Sequence, residues 1–266
     1  MLPRLIATDL DGTLLDPSGS LTPRTATALR RAADAGIIVV FATGRPPAVA
    51  GREIEAAGRG VHYGVMANGT IICSLPDGAV LRAHTFDAAT ARDAVRRLRA
   101  HDPRLGVALA TDRGFTAEAG FHERMPIAPR DGHSVPDALV GHEDATDTVK
   151  LFAFHPDHGA HDLLALLPSV LGEHLVVNHM GADAVEIAPA GVDKGAGLRW
   201  LCEHLGVDPL EVMVFGDEVN DLPMFAAAGH RVAMENAHPA VRDAADEVTA
   251  SNASDGVAVV IERLLG

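Results

Sequence analysis

Leu5-Ile6-Ala7-Thr8-Asp9-Leu10-Asp11-Gly12-Thr13 is the stretch on which the reading of this chain turns. The run Leu5 to Leu10 reads as a strand that stops at two carboxylates. In extended chain, residues two apart face the same side, so Asp9 and Asp11 are expected to converge while Leu10 faces the opposite layer. Two carboxylates that close repel each other. A cation is therefore expected beside them, and a hard ion with oxygen ligands such as Mg²⁺ is the natural one. Gly12 permits the tight turn away from the strand. Read as chemistry, the pair is a nucleophile and its acid/base partner in phosphoryl transfer. Read as structure, it is a strand end followed by an ordinary Asp-Gly turn, and the five residues alone do not decide.

Working outward, short apolar runs alternate with amphipathic helices, the pattern of a parallel sheet covered on both faces. Thr22-Pro23 reads as a helix N-cap with proline in the first turn; Ala26, Leu29 and Ala33 form an apolar face, and Gly36 a stop. Ile37 to Ala42 is a second strand, ending in Thr43-Gly44-Arg45, and a third runs near Val61 to Ala67, ending in Asn68-Gly69. Beyond His84 the pattern changes. A helix with Ala91, Val95 and Leu98 precedes strands near Leu105 to Ala110 and Thr148 to Phe154, a helix from Gly159 to Leu171 and a strand from Leu175 to Val177. Between these, His122 to Ala145 is rich in Pro, Gly, Asp and His. The β-α alternation resumes with a helix from Lys194 to Leu205, a strand from Glu211 to Phe215 and a loop and helix over Asp217 to Gly229. Short strands near Arg231 to Met234 and Glu247 to Thr249 and a last helix from Gly256 to Leu265 follow. The expected organisation is a discontinuous core, 1–83 plus 189–266, around an inserted α+β module, 84–188.

The 266 residues are enough for one large or two moderate domains. Lys plus Arg number 22 against 36 Asp plus Glu, a net charge of −14 that repels nucleic acid and anionic membranes. No apolar stretch approaches membrane-spanning length, and the N-terminus lacks the succession of a signal peptide. Cys73 and Cys202 are far apart and outside any Cys-x-x-Cys pair, so a reducing cytoplasm is expected.

Four places now carry polar groups suited to phosphoryl transfer: Asp9 with Asp11, Thr43 with Gly44, Lys194, and Gly216-Asp217 followed by Asn220-Asp221. In an open parallel sheet the carboxyl ends of the strands share one edge, so groups distant in sequence meet there. Three of the four lie at strand ends; Lys194 opens a helix. Lysine is scarce, only Lys150 and Lys194 against 20 arginines, and a compact ammonium does what a planar guanidinium does less well.

Together these motifs resemble the haloacid dehalogenase superfamily of phosphatases: Asp-x-Asp-Gly-Thr, a strand ending in Thr-Gly-Arg, Lys-Gly, and Gly-Asp-x-x-Asn-Asp. Their order, the insert after the third strand, and the stretches Val232 to Ala237, Ala245-Asp246 and Asp255 to Ala258 are similar to the Cof-like branch, with its type IIB cap. The resemblance covers the whole chain, although the cap carries few diagnostic motifs. It implies an α/β fold, a Rossmann-like parallel sheet core with an inserted α+β cap that governs specificity. It further implies that Asp9 attacks phosphorus to form an aspartyl-phosphate and that Asp11 protonates the leaving alcohol and then deprotonates water. Mg²⁺ is held by Asp9, the backbone carbonyl of Asp11 and Asp217, while Asp221 orients that shell or the Lys194 ammonium. Thr43, Gly44 and Lys194 bind the phosphoryl oxygens, with Asn220 donating an amide hydrogen to the same region. Arg45 reaches substrate or holds the loop. The implied enzyme is a cytoplasmic monomer or homodimer hydrolysing small phosphorylated metabolites: sugar phosphates first, flavin mononucleotide or pyridoxal phosphate next. A phosphomutase of the same superfamily and a catalytically idle binding module are the rivals.

Other features carry less. His155, His158 and His161 fall in a Pro-, Asp- and Gly-containing turn entering a helix, which favours an exposed loop over a metal site. Gly58 to Gly64 precedes a strand, whereas a dinucleotide-binding loop must follow one. Neither a phosphate-binding Gly-Lys-Ser/Thr loop nor a Gly-x-Ser-x-Gly turn occurs. Glu235 stands where the resembling proteins commonly have glycine, close to the expected phosphate edge or pointing to solvent.

Overall fold

The computed structural model describes residues 2–47, 49–75, 77–111, 115–118 and 148–266; the stretch 122–145 lies outside them. Two compact units divide the chain: Met1–Ala83 with Val192–Gly266, and His84–Gly191. Strands β1 (Leu5–Thr8), β2 (Ile38–Ala42), β3 (Tyr63–Met66), β4 (Ile71–Ser74) and β5 (Val80–Ala83) belong to the first segment. The second unit holds β6 (Gly106–Thr111), β7 (Phe115–Ala117), β8 (Thr148–Phe154), β9 (Leu175–Ala182) and β10 (Ala184–Pro189); β11 (Val212–Gly216), β12 (His230–Ala233) and β13 (Glu247–Val248) complete the first.

The first unit is built on an eight-stranded sheet in the order β13-β12-β11-β1-β2-β3-β4-β5. Its centre is parallel, with Thr8 of β1 level with Phe215 of β11 and Phe41 of β2. That register brings the residues following all three strands, Asp9, Thr43 and Asp217, to one edge. Both faces of the central strands are covered, which is why they read as unbroken apolar runs. The sheet is mixed rather than wholly parallel: β3 is parallel to β2, whereas β4 runs antiparallel to both β3 and β5. The two added strands are only four residues each; β4 is buried, whereas β5 is an edge strand with Val80 and Leu81 exposed. The first expected strand also stops earlier, at Thr8, because the chain turns tightly over Leu10–Leu14 with Gly12 at φ +82°.

Helix Pro23–Asp34 starts at Thr22, whose hydroxyl accepts from the Thr25 amide. Helix Lys194–Leu205 starts at Asp193, whose carboxylate accepts from the Ala196 amide, and ends at Gly206 in the left-handed region. The start of this second helix is wedged tightly. A Cβ on Gly195 would lie 2.1 Å from the Pro223 carbonyl oxygen, and one on Gly69, at φ +89°, would lie 2.1 Å from that of Asp193. Glycine at these positions therefore lets two backbones approach the first turn that carries Lys194.

In the second unit a five-stranded antiparallel sheet, β7-β6-β8-β10-β9, packs one face against helices Ala88–His101 and Ala160–Leu171. Val107, Leu109, Leu151, Ala153, Val185 and Ile187 fill that layer. The alternate face carries Lys150 and Glu186, both buried and paired at 2.5 Å. Cys73 and Cys202 are free and buried, and burial pushes both thiols up to about 11.

The contact of Gly195 with backbone, which cannot yield as a side chain does, makes Gly195→Ala costly. Urea unfolding is expected to show a loss of about 1–3 kcal/mol, typical of overpacking, despite alanine's better helix propensity.

Candidate active site

Lys194 is the hub of the sheet edge. Its ammonium donates to Asp9 Oδ1 at 2.6 Å and to Asp221 Oδ1 at 2.7 Å, and all three side chains are almost fully buried. Asp221 Oδ2 accepts from the backbone amides of Asp217 and Glu218, so both of its oxygens are engaged. Asp217 Oδ1 accepts from the Thr13 hydroxyl at 2.7 Å. A Cβ at Gly12 would lie 2.2 Å from Asp217 Oδ2, so the turn after β1 can approach that carboxylate only as glycine.

Asp9, Asp217 and Asp221 each offer an oxygen, and these atoms lie within 4.8 Å of one another. Burial raises Asp9 from 3.8 to about 8, with Lys194 opposing and the charges of Asp221 and Asp217 adding to the rise. Asp217 is raised to about 6, again by burial first, with the Thr13 hydrogen bond opposing and the charge of Asp221 adding to it. Lys194 moves upward too: burial works against its charge, but the Asp9 and Asp221 carboxylates outweigh it. The ammonium is therefore charged, and Asp9 bears the strain of three clustered acids beside one cation. A divalent cation among these oxygens reverses that strain, and an all-oxygen set suits a hard ion. The chemistry of the donor set thus fits a divalent metal. Asp221 is one of the three acids in this group, although its oxygens also serve Lys194 and two amides.

Asp11 is exposed where Asp9 is buried, and it has a different partner. β1 has already ended, and the Asp11 side chain, 58% exposed, is gripped by Arg45 through Nε at 2.8 Å and a terminal nitrogen at 2.5 Å. Each carboxylate of the pair thus has its own cation, Lys194 inside and Arg45 outside. Asp11 itself lies in the turn over Leu10–Leu14 that follows Asp9.

Thr43 is fully buried, and its hydroxyl accepts from the Arg45 amide at 3.1 Å. The loop it opens is tied down by Ala67, whose amide donates to the Arg45 carbonyl, and by Asn68, whose amide donates to that of Thr43. Asn68 was not singled out as a site residue. Its side-chain oxygen accepts from the Asn220 amide at 3.3 Å, and its side chain flanks the α-carbon of Gly44. Ala67 and Asn68 both have positive φ, 53° and 56°, a strained pair that places this side chain. The only sequence signal was the Asn-Gly dipeptide at a strand end. Asn236 was also missed: it donates to the Gly12 carbonyl at 2.8 Å and accepts from the Asn252 amide, bracing the acidic turn from the far end of the chain. Neighbouring Glu235 is exposed. His155 is buried, not in an exposed loop, with Nε2 3.1 Å from Asp102.

The family model of haloacid dehalogenase-like hydrolases matches residues 6–261, and the chain belongs to this family, with a cap of the Cof-like, type IIB kind. It is 32% identical over 251 residues to the HMP-PP phosphatase of Citrobacter koseri, covering 89% of this chain and 85% of that one. To the 5-amino-6-(5-phospho-D-ribitylamino)uracil phosphatase YwtE of Bacillus subtilis it is 30% identical, covering 98% of both. The crystal structure of a haloacid dehalogenase-like hydrolase from Bacteroides thetaiotaomicron superposes with a TM-score of 0.86 at 26% identity, covering 98% of this chain and 99% of that one. Fold, acidic cluster and family together make the protein a phosphatase. Among the described residues no helix is long and apolar enough to cross a membrane.

Burial, with the charges of Asp221 and Asp217, pushes Asp9 upward, so a metal that takes its carboxylate competes with protons. Titrating Mg²⁺ into the metal-free protein at pH 7 is expected to release protons. The apparent binding enthalpy will be more exothermic in Tris than in a buffer of low ionisation enthalpy. Equal enthalpies in the two buffers contradict the assignment.

Proposed function

We propose that the protein is a Mg²⁺-dependent phosphomonoesterase of small metabolites that works through an aspartyl-phosphate on Asp9. The observation that carries this reading is the buried Lys194 ammonium holding Asp9 by Oδ1 alone, which leaves the other oxygen of the carboxylate to attack. In the first step an Asp9 oxygen bonds to phosphorus and the ester P–O bond breaks. Its electron pair goes to the leaving oxygen, which takes a proton from the Asp11 carboxyl. In the second step water bonds to phosphorus, the Asp9–phosphorus linkage breaks to regenerate the carboxylate, and the proton of water passes to Asp11.

Lys194, Thr43 and the Gly44 amide act as the cradle for the non-bridging oxygens, with Asn220 aimed by Asn68. Bound Mg²⁺, held by Asp9, Asp217 and the Asp11 backbone carbonyl, would neutralise phosphoryl charge and relieve the repulsion between the two carboxylates. Asp221 positions Lys194 in this scheme, since both of its oxygens are already bonded. Arg45 acts on Asp11 in place of the substrate.

For substrate, sugar phosphates lead, with flavin mononucleotide and pyridoxal phosphate next. The name of the Bacillus subtilis relative specifies a phosphorylated ribityl chain on a uracil, which supports a phosphorylated polyol or sugar. The net charge of −14 favours such small substrates over nucleic acid and anionic membranes. The protein is expected to work in the cytoplasm as a monomer or homodimer.

A phosphate-release screen of these esters with and without Mg²⁺ tests the reading. Activity should require the metal, and Asp9→Asn should lower kcat by at least about 10³-fold, as loss of a nucleophile does. Activity that survives Asp9→Asn sinks the nucleophile; isomerised sugar in place of free phosphate makes the enzyme a mutase.

Lys194→Arg is expected to fail as a replacement, because a planar fork cannot occupy the buried space of a compact ammonium between two carboxylates. Steady-state kinetics should show a loss of about 10²-fold or more in kcat/KM. Near-normal kinetics would remove Lys194 from the hub.

A further inference from the structure

Glu53, in the short helix Gly51–Ala57, was not assigned any role by the family motifs, yet it is a buried carboxylate outside the acidic cluster. Only 6% of its surface is exposed. Its Oε1 accepts from Arg45 at 2.9 Å, and its Oε2 is buried with no hydrogen-bond partner among the described residues. A buried carboxylate with one unsatisfied oxygen is costly and needs a reason for being there.

We propose that Glu53 is a positioning residue for the acid/base step, fixing the Arg45 guanidinium so that its remaining edge holds the Asp11 carboxylate in one direction. This rests on the reading of Asp11 as the acid/base. The argument is one of geometry and burial. An arginine and an aspartate as exposed as Asp11 make a weak, mobile pair, because solvent screens the attraction and two long side chains must be ordered. Arg45 is different because it is held at both ends. One terminal nitrogen is anchored on buried Glu53, while Nε and the other terminal nitrogen form a two-pronged contact with Asp11. A guanidinium is planar and rigid, so pinning one nitrogen sets the direction in which the opposite edge faces. All three of its nitrogens are bonded to carboxylates, which is the arrangement of a strut rather than of a substrate ligand. The Thr43 hydroxyl adds a further attachment by accepting from the Arg45 amide. A chain of contacts thus runs from the helix Gly51–Ala57 to the exposed carboxylate beside the nucleophile, and its base is Glu53.

Leaving groups separate this role from simple support of the fold. A 4-nitrophenyl ester departs without a proton, whereas an alkyl phosphate such as a hexose 6-phosphate needs one from Asp11. The experiment is single-turnover release of nitrophenol and of sugar by Mg²⁺-loaded enzyme, in wild type, Glu53→Gln, Arg45→Lys and Asp11→Asn. Asp11→Asn is expected to slow alkyl release by about 10²-fold or more and nitrophenol release far less. Glu53→Gln keeps the shape but removes the charge, and is expected to slow alkyl release by about tenfold to thirtyfold with less than about threefold change in nitrophenol release. Arg45→Lys, which cannot span two carboxylates at once, should show the same selectivity if Glu53→Gln does not fold. If Asp11→Asn slows both esters equally, the acid/base reading fails and the role of Glu53 with it. If Asp11→Asn is selective while Glu53→Gln and Arg45→Lys slow both esters equally or neither, the proposal for Glu53 alone is overturned.

Discussion

A single buried ammonium organises the catalytic edge of this protein. Lys194 has no solvent to fall back on, and neither do Asp9 and Asp221, so the three must be paired or pay several kcal/mol each in lost hydration. That requirement draws together three segments remote in the chain: the end of β1, the first turn of helix Lys194–Leu205 and the turn after β11. The glycines around it follow from the same demand. Gly12, Gly69 and Gly195 each stand where a side chain would collide with Asp217, Asp193 or Pro223. The close approach of backbones is what lets one lysine reach two acids at 2.6 and 2.7 Å.

The acids at this edge divide into three environments. Asp9 is buried and paired with Lys194, and burial first, then the charges of Asp221 and Asp217, push it upward against that pairing. Asp221 is fully buried and bonded to Lys194 and two amides. Asp11 faces solvent, with both oxygens held on the Arg45 fork. One fold thus gives adjacent carboxylates different work by varying burial and partner, the general route to separating catalytic roles.

The strand ends were readable because fully covered parallel strands leave continuous apolar runs. Ile38–Ala42 and Val212–Gly216 could hardly be read otherwise, and Thr148–Phe154 and Lys194–Leu205 match their expected limits. The return strands Ile71–Ser74 and Val80–Ala83 were not legible, being short and, in β5, exposed at an edge. The acidic motifs pointed to the right edge of the sheet, since position after a strand is a local property. The partners of those motifs were not local. Asn236 reaches Gly12 across 224 positions of chain and Asn68 reaches Asn220 across 152, and neither carries a pattern by which such contacts can be foreseen. The different settings of Asp9 and Asp11, one buried on Lys194 and one exposed on Arg45, were invisible for a different reason: two-residue alternation holds only within a strand, and β1 ends at Thr8.

The account stands or falls on whether Asp9 carries the phosphoryl group. Borohydride added during turnover reduces an acyl phosphate to an alcohol, so peptide mass spectrometry of quenched, Mg²⁺-loaded enzyme locates the residue directly. Homoserine at position 9, absent without substrate and absent in Asp9→Asn, is the predicted result. Full phosphatase activity with no reduction product at position 9, or with the product at another carboxylate, would contradict it.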